Sequence, residues 1–396
     1  MDDIFELRIN EIELALANDD LNRVSRRMMD LTHDFDCSAD QKMESIIFRE
    51  KYNLNKELGK SGNNNQVLKT EYANLLNSVK NIHPNLLVLN NQSEIICNAT
   101  DISKTLGSFV LQKISLQLQR GKIIGLVGEN GNGKTTLLRV LSGEITVDDG
   151  TVEYFSGITK LTTWEEIKTE LAFIPQRIER WWGNVYDYIS YNAAIKGISG
   201  DENIYATNFI IHRLGLSNFK NHSWSQLSSG YKLRVEIAKT LVWNPKVLML
   251  DEPLANLDLM AQELLLQDLK DLTASLKHPV TLILTSQQLH EVETIADTVI
   301  FLKNGRSVFN GNTDDLEKLE QDYTLELDGK FTYHDLAKCL SDWKVKIEKN
   351  SLGYTVLMDK SHSVKSFFEI LLSNNLELTY FRNISNSTKK LFNDKY

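Results

Sequence analysis

The chain has 396 residues, 42% of them hydrophobic and 24% charged, a composition that builds two or three soluble, core-forming domains of about 150 residues each. Lys plus Arg is 44 and Asp plus Glu is 53, a formal net charge of −9, which argues against a whole-chain role on DNA or RNA, where a basic face supplies affinity. Three scattered cysteines without a CxxC argue against a disulfide framework or zinc site and fit a reducing compartment; the acidic start is not a signal peptide, and no apolar stretch approaches the ~20 residues that cross a bilayer.

Residues 1–80 read as helices. Phe5, Ile9, Ile12 and Leu16 recur at helical spacing, Asp20 caps the next segment, and Leu21, Val24, Met28 and Leu31 form a second stripe. A third helix carries Met43, Ile47, Leu54 and Leu58 and stops near Gly59-Lys60-Ser61-Gly62; a fourth runs to about Lys80. Two helical hairpins in a row imply a small bundle or two solenoid repeats over residues 1–82. His83-Pro84 ends the pattern, because the residue before a proline leaves helical space. Over residues 86–319, short apolar runs alternate with helical stretches: Ile123–Val127, Leu171–Ile174, Val247–Leu250, Val280–Leu284 and Val299–Leu302. Continuous apolar runs belong to strands buried on both faces, so this span is an α/β domain with a mainly parallel sheet. The tail, residues 320–396, reads as strand Tyr323–Leu327, helix Thr332–Trp343, strands Lys344–Ile347 and Tyr354–Met358, helix Val364–Leu372 and strand Leu376–Phe381. That βαββαβ order matches a ferredoxin-like unit.

The chemistry concentrates in the middle domain. Gly128-Glu129-Asn130-Gly131-Asn132-Gly133-Lys134-Thr135 fits GxxxxGK[ST] and lies between a buried strand and a helix, the context a phosphate-binding loop requires. Its glycines let the backbone turn sharply and aim N–H groups at a phosphate chain, and the helix N-terminus adds partial positive charge. Lys134 reaches the β- and γ-phosphates as a point charge, Thr135 offers its hydroxyl to Mg²⁺, and Thr136 follows it in the same turn. Downstream, Val247–Leu250 forms a central strand with Asp251 and Glu252 at its C-terminal end, the edge where ligands of parallel sheets bind. Asp251 suits Mg²⁺; Glu252 suits polarising a water for attack on the γ-phosphate.

Leu227-Ser228-Ser229-Gly230-Tyr231, ahead of that strand, resembles the LSGGQ signature of ATP-binding-cassette (ABC) ATPases. Asn256-Leu257-Asp258 looks like the D-loop of that family and Gln176, in Phe173-Ile174-Pro175-Gln176, like its Q-loop. The five motifs stand in the family's order over residues 90–315. The resemblance implies the fold class: α/β, a P-loop NTPase (ABC ATPase) domain with an N-terminal α-helical domain and a small C-terminal α+β, ferredoxin-like domain. It also implies ATP and Mg²⁺ as ligands, and two cassettes packed head to tail around two ATP molecules. Ser228, Ser229 and Gly230 of one copy then face the phosphate loop of the other, with Asp258 nearby and Gln176 sensing Mg²⁺ and relaying closure to a partner. In the exporter branch, which this cassette most resembles, that partner is a separate membrane permease. The expectation is a cytoplasmic ATPase subunit held at the membrane through the permease, without inserting and without binding nucleic acid.

Three departures qualify the resemblance. The family's switch histidine falls at Gln287, whose amide can bond a phosphate but not take up a proton; His290 lies three residues on. Leu106 stands where an adenine-stacking aromatic is expected, with Phe109 as the substitute. Ser229 replaces a glycine and Tyr231 a glutamine. They leave room for a second function, an ATP-gated clamp with little turnover. A ribosome or DNA-repair factor fits less well, since only one phosphate loop is present and neither coiled-coil insertions nor zinc cysteines are. Trp181-Trp182 reads first as core packing and second as a partner-docking patch.

Overall fold

The computed structural model describes residues 2–35, 37–59, 63–80, 94–275, 277–313, 315, 322–350, 353–359 and 361–383. The expected boundaries near residues 82–86 and 319–320 lie outside these, as do the His83-Pro84 break and Lys60-Ser61-Gly62. The chain divides into two compact units, residues 1–124 with 135–285, and residues 125–134 with 286–396.

The first unit opens with four helices, α1 (Asp2–Ala17), α2 (Leu21–Asp34), α3 (Ala39–Glu57) and α4 (Asn63–Lys80). Asp20 caps α2 by accepting the Arg23 N–H, and Ser38 and Gln41 form a reciprocal capping box on α3. The expected stripes of α1 and α2 are buried and meet Tyr72, Leu75 and Val79 of α4 in one core. The stripe expected for α3 is not: Met43, Ile47, Leu54 and Leu58 are exposed, while Ser45, Ile46, Phe48 and Arg49 face inward. Arg49 is accommodated because its guanidinium donates to Asn22 Oδ1 at 2.9 Å and Ser25 Oγ at 2.6 Å.

Strands β1 (Ile95–Leu106) and β2 (Phe109–Gln119) pair with β4 (Asp149–Ser156) and β5 (Thr159–Leu161) in an antiparallel sheet, order β2-β1-β4-β5. This antiparallel sheet was not foreseen from the sequence and comes in addition to the expected parallel one. It was hidden because bulges interrupt the two-residue alternation: Asp101 and Lys113 sit at φ of +49° and +45°, beside shifts in the β1–β2 register. The parallel part of this unit is β6 (Leu171–Ile174), β7 (Val247–Leu250) and β8 (Thr281–Ser286), with β7 central and wholly buried. Helices α6 (Trp164–Glu170), α7 (Val185–Ile195), α8 (Gly200–Arg213), α9 (Ser229–Leu241) and α10 (Leu259–Thr273) connect them.

The chain passes between the units along β3 (Ile123–Val127) and again at α5 (Lys134–Leu141). In the second unit, α11 (Leu289–Val292) precedes a hairpin of β9 (Thr298–Lys303) and β10 (Arg306–Asn312). Its Asn304-Gly305 turn has φ of +49° and +76°, the left-handed pair a tight hairpin needs. The tail follows as β11 (Asp322–Gly329), α12 (Tyr333–Cys339), β12 (Val345–Asn350), β13 (Gly353–Asp359), α13 (Val364–Ser373) and β14 (Leu378–Asn383). The order β12-β13-β11-β14, antiparallel throughout, is the ferredoxin-like arrangement, over a core of Leu325, Val356, Met358, Phe367 and Leu371.

Candidate functional site: a phosphate loop and a carboxylate cleft

In the second unit, residues 128–134 form the loop that leads into α5. Gly131 and Gly133 adopt φ of +81° and +100°, which residues with a Cβ rarely reach. A Cβ on Gly128 would lie 2.7 Å from the Leu302 carbonyl oxygen, so that position also admits only glycine. Gly128 N–H donates to Ser286 O at 3.2 Å, and Asn132 Oδ1 accepts the Asn304 N–H at 2.9 Å; these bonds fix the loop to the ends of β8 and β9. Lys134, 4% exposed, turns its ammonium into the loop and donates to Gly128 O at 2.6 Å and Glu129 O at 3.2 Å. Glu129, Asn130 and Gly131 form the loop's exposed crest. Gln287, directly after Ser286, is exposed, and His290 lies in α11.

In the first unit, Thr135 donates its hydroxyl to Asp251 Oδ2 at 2.7 Å, and Thr136 follows in α5. Asp251 is 6% exposed at the end of β7; its Oδ1 accepts the Thr285 hydroxyl at 2.8 Å. Thr285 Oγ1 also accepts the Glu252 N–H at 2.7 Å. Thr285 was not singled out from the sequence; its signal is a hydroxyl directly after the buried apolar run Leu282–Leu284. Glu252 sits at φ of +47°, a conformation that costs ~1 kcal/mol or more for a residue with a Cβ. The turn sends its side chain away from that of Asp251, and Gln176 Nε2 donates to its Oε2 at 2.9 Å. Gln176, Asp251, Glu252, Ser229, Lys232 and Asn256 line one cleft of about 220 Å³.

Ser228 caps α9, its hydroxyl accepting the Tyr231 N–H. Ser229 is the first helical residue and takes an ordinary negative φ, so its Cβ is tolerated; its hydroxyl donates to Asn256 O at 3.3 Å. Ser228 and Ser229 are exposed at this helix N-terminus and Gly230 is half-buried. Asp258 is occupied as the N-cap of α10, accepting the Ala261 N–H at 2.9 Å. Leu106 and Phe109 face each other at the mouth of the β1–β2 hairpin. Trp181 stacks on Tyr188 with ring centroids 4.5 Å apart, whereas Trp182 is 82% exposed under the Arg180 guanidinium. The core reading therefore holds for the first tryptophan only.

Each set by itself fits part of a nucleoside triphosphate with Mg²⁺. The positive-φ glycines open a cradle of N–H groups, Lys134 brings one buried cation, and the Thr135 hydroxyl and Asp251 carboxylate are paired hard-oxygen donors. Among the described residues, no group of three His, Cys, Asp or Glu side chains could hold a metal alone; Mg²⁺ ordinarily takes one or two protein oxygens and completes its shell with phosphate and water.

Comparison with known proteins agrees with the geometry. Residues 111–255 match the family model described as ABC transporter. An uncharacterized ABC transporter ATP-binding protein of Methanocaldococcus jannaschii is 30% identical over 213 residues, 52% of this chain and 73% of that protein. The methionine import ATP-binding protein MetN of Bacillus subtilis is 32% identical over 232 residues, 56% of this chain and 67% of that one. The solved structure of cbiO1 from Clostridium perfringens, part of the ABC transporter complex cbiONQ, has a TM-score of 0.52 at 25% identity, covering 57% of this chain and 91% of that chain. The α/β P-loop fold with added N-terminal helices and a strand-rich C-terminal region stands as expected.

Proposed function

The chain belongs to the ABC transporter ATP-binding family, and on that premise we propose that it binds ATP with Mg²⁺ between two copies of itself and hydrolyses it to drive a separate membrane permease. The observation that carries this is the hydrogen-bonded chain Thr135, Asp251, Thr285, Glu252 and Gln176, whose first residue in the sequence directly follows a glycine-rich loop ending in Lys134. Lys134 binds the β- and γ-phosphates, and Thr135 with Asp251 holds Mg²⁺, which when bound neutralises charge on those phosphates. Glu252, steadied by Gln176, orients the attacking water and accepts its proton. Ser228 and the Gly230 N–H, at the α9 N-terminus, bond the γ-phosphate held by the partner copy, adding a second helix dipole to the same charge. Gln287 bonds that phosphate through its amide, and Asp258 steadies α10 beside the junction.

No helix among the described residues is long and apolar enough to cross a membrane. In this reading the permease carries the spans and this chain sits at its cytoplasmic side. Trp182, exposed six residues past Gln176, is our candidate for permease contact. An uptake direction has the better support: the Bacillus subtilis relative is an import protein by name, whereas the export branch rests on motif resemblance alone. The test is phosphate release with Mg²⁺-ATP. Wild type should turn over and Glu252→Gln should bind ATP but release about a hundredfold less phosphate or lower; an unchanged rate in the variant would remove Glu252 from its assigned role.

A further inference from the structure

The N-terminal helices meet the cassette through buried charge. On α2, Arg26 is 4% exposed and ion-pairs with Oδ1 of Asp268 on α10, a residue with no exposure at all. Arg213 of α8 lies 3.5 Å from the same oxygen. The other oxygen, Oδ2, accepts from Arg234 Nη1 at 2.9 Å. Arg234 stands on α9, six residues beyond Ser228, about 9 Å along the helix axis. One carboxylate thus joins α2, α8, α9 and α10. Around it, Arg213 grips Asp30 at 2.5 and 3.2 Å, and Arg27 reaches Asp271 at 3.4 Å.

Arg26 is a poor stabiliser by itself. Its Nε is buried and has no hydrogen-bond partner among the described residues. Burial lowers its pKa from the ordinary value, Asp268 opposes that, and the like charges of Arg213 and Arg234 add to it. Replacing a whole buried ion pair by hydrophobic side chains of similar volume is often neutral or stabilising, and setting register is the best-attested use of keeping one. What Arg26 adds is a hold on Oδ1. With Oδ1 held from α2 as well as by the 3.5 Å contact from Arg213, the carboxylate is restrained and Oδ2 is presented to Arg234.

We propose that Arg26 is a positioning residue for the signature helix: through Asp268 and Arg234 it fixes the aim of α9, so the N-terminal helices set how well Ser228 and Gly230 meet the γ-phosphate of a partner copy. The inference rests on the nucleotide sandwich proposed above and adds the element that tunes it. Arg26→Met leaves Oδ1 with only the 3.5 Å contact from Arg213, which loosens the carboxylate and misaims α9 without touching the phosphate loop. Arg27→Met breaks ion pairs of the same seam but none to Asp268, so it serves as the structural control.

The experiment uses the full chain carrying Glu252→Gln, with Mg²⁺-ATP, and reads two quantities: self-association by sedimentation, and binding of a fluorescent ATP analogue at dilutions where the chain is single. Arg26→Met should weaken self-association about tenfold with analogue binding unchanged, Arg26→Lys should restore most of it, and Arg27→Met should stay within about twofold of the parent. Arg234→Met should reproduce the loss, which keeps the test open if Arg26→Met fails to fold by circular dichroism. Equal association in the parent, Arg26→Met and Arg234→Met overturns the inference alone. Equal losses in Arg26→Met and Arg27→Met, with equal falls in melting temperature, overturn it in favour of a merely structural seam. A parent that stays single with ATP overturns the sandwich, and this inference with it.

Discussion

The nucleotide-binding residues and the seam under the N-terminal helices both rest on buried charged side chains, yet they hold them by different means. For the first, backbone geometry does the holding: positive-φ glycines shape the phosphate loop, and in the cleft the positive φ of Glu252 turns its side chain at the end of β7. In the seam, side chains hold one another, and Arg26, Arg213 and Asp268 have almost no exposure. Charges that must meet a ligand, Lys134 and Asp251 among them, are buried too, but backbone geometry keeps them apart. Charges that set register need no such backbone, and are costly to leave unpaired.

Substitutions should separate the two regions sharply. In the phosphate loop, Lys134→Ala should lower phosphate release by about a thousandfold while the thermal melt stays within a few degrees, since the fold loses only the bonds to Gly128 O and Glu129 O whereas the transition-state charge loses its cation. Steady-state hydrolysis and calorimetry check both halves; a collapsed melt would show the loop to be structural. In the seam, Asp268→Asn leaves Arg26, Arg213 and Arg234 without their shared anion and should cost about 3 kcal/mol or more of stability, read by urea unfolding. A loss under about 1 kcal/mol would mean that the arginines are solvated on demand and the seam is open.

Acid should act on the seam before the cleft. Burial holds His33 and His212 to a pKa of about 4, below their ordinary 6.5. The unfolded chain therefore takes up protons below about pH 6.5 that the folded chain refuses until about pH 4, so stability falls as pH drops through that window. Asp271, raised above its ordinary 3.8 by burial, pulls the other way at the acid end. Urea midpoints at pH 7 and pH 5 measure the slope, and His33→Phe, retaining the stack on Phe209, should flatten part of it. An equal slope in that variant would place the proton uptake elsewhere. The smallest effect belongs to Gln287→His, which should raise phosphate release several-fold by supplying a group that carries a proton. No release from either form would favour the ATP-gated clamp.

How much of this could be read beforehand follows from which force sets each feature. The phosphate loop was legible because its glycines answer a backbone requirement that no tertiary context can replace. The α1 and α2 stripes were legible because one face of each helix is plainly apolar. On α3 the same periodicity misled: Met43, Ile47, Leu54 and Leu58 form the cleaner stripe, but Ser45 and Arg49 find buried partners in Thr32, Asn22 and Ser25, and that polar-containing face packs inward. Thr285 and Asp268 stayed hidden for the same reason. Each matters through a partner more than 30 residues away, and spacing along one chain does not reveal such pairings.

The most direct test of the account is the mass, by light scattering, of the Glu252→Gln chain with Mg²⁺-ATP. The account predicts a mass double the 45.3 kDa of a single chain, returning to the single value when Ser228→Arg is added. A mass that never doubles, or a doubled mass that survives Ser228→Arg, would contradict it.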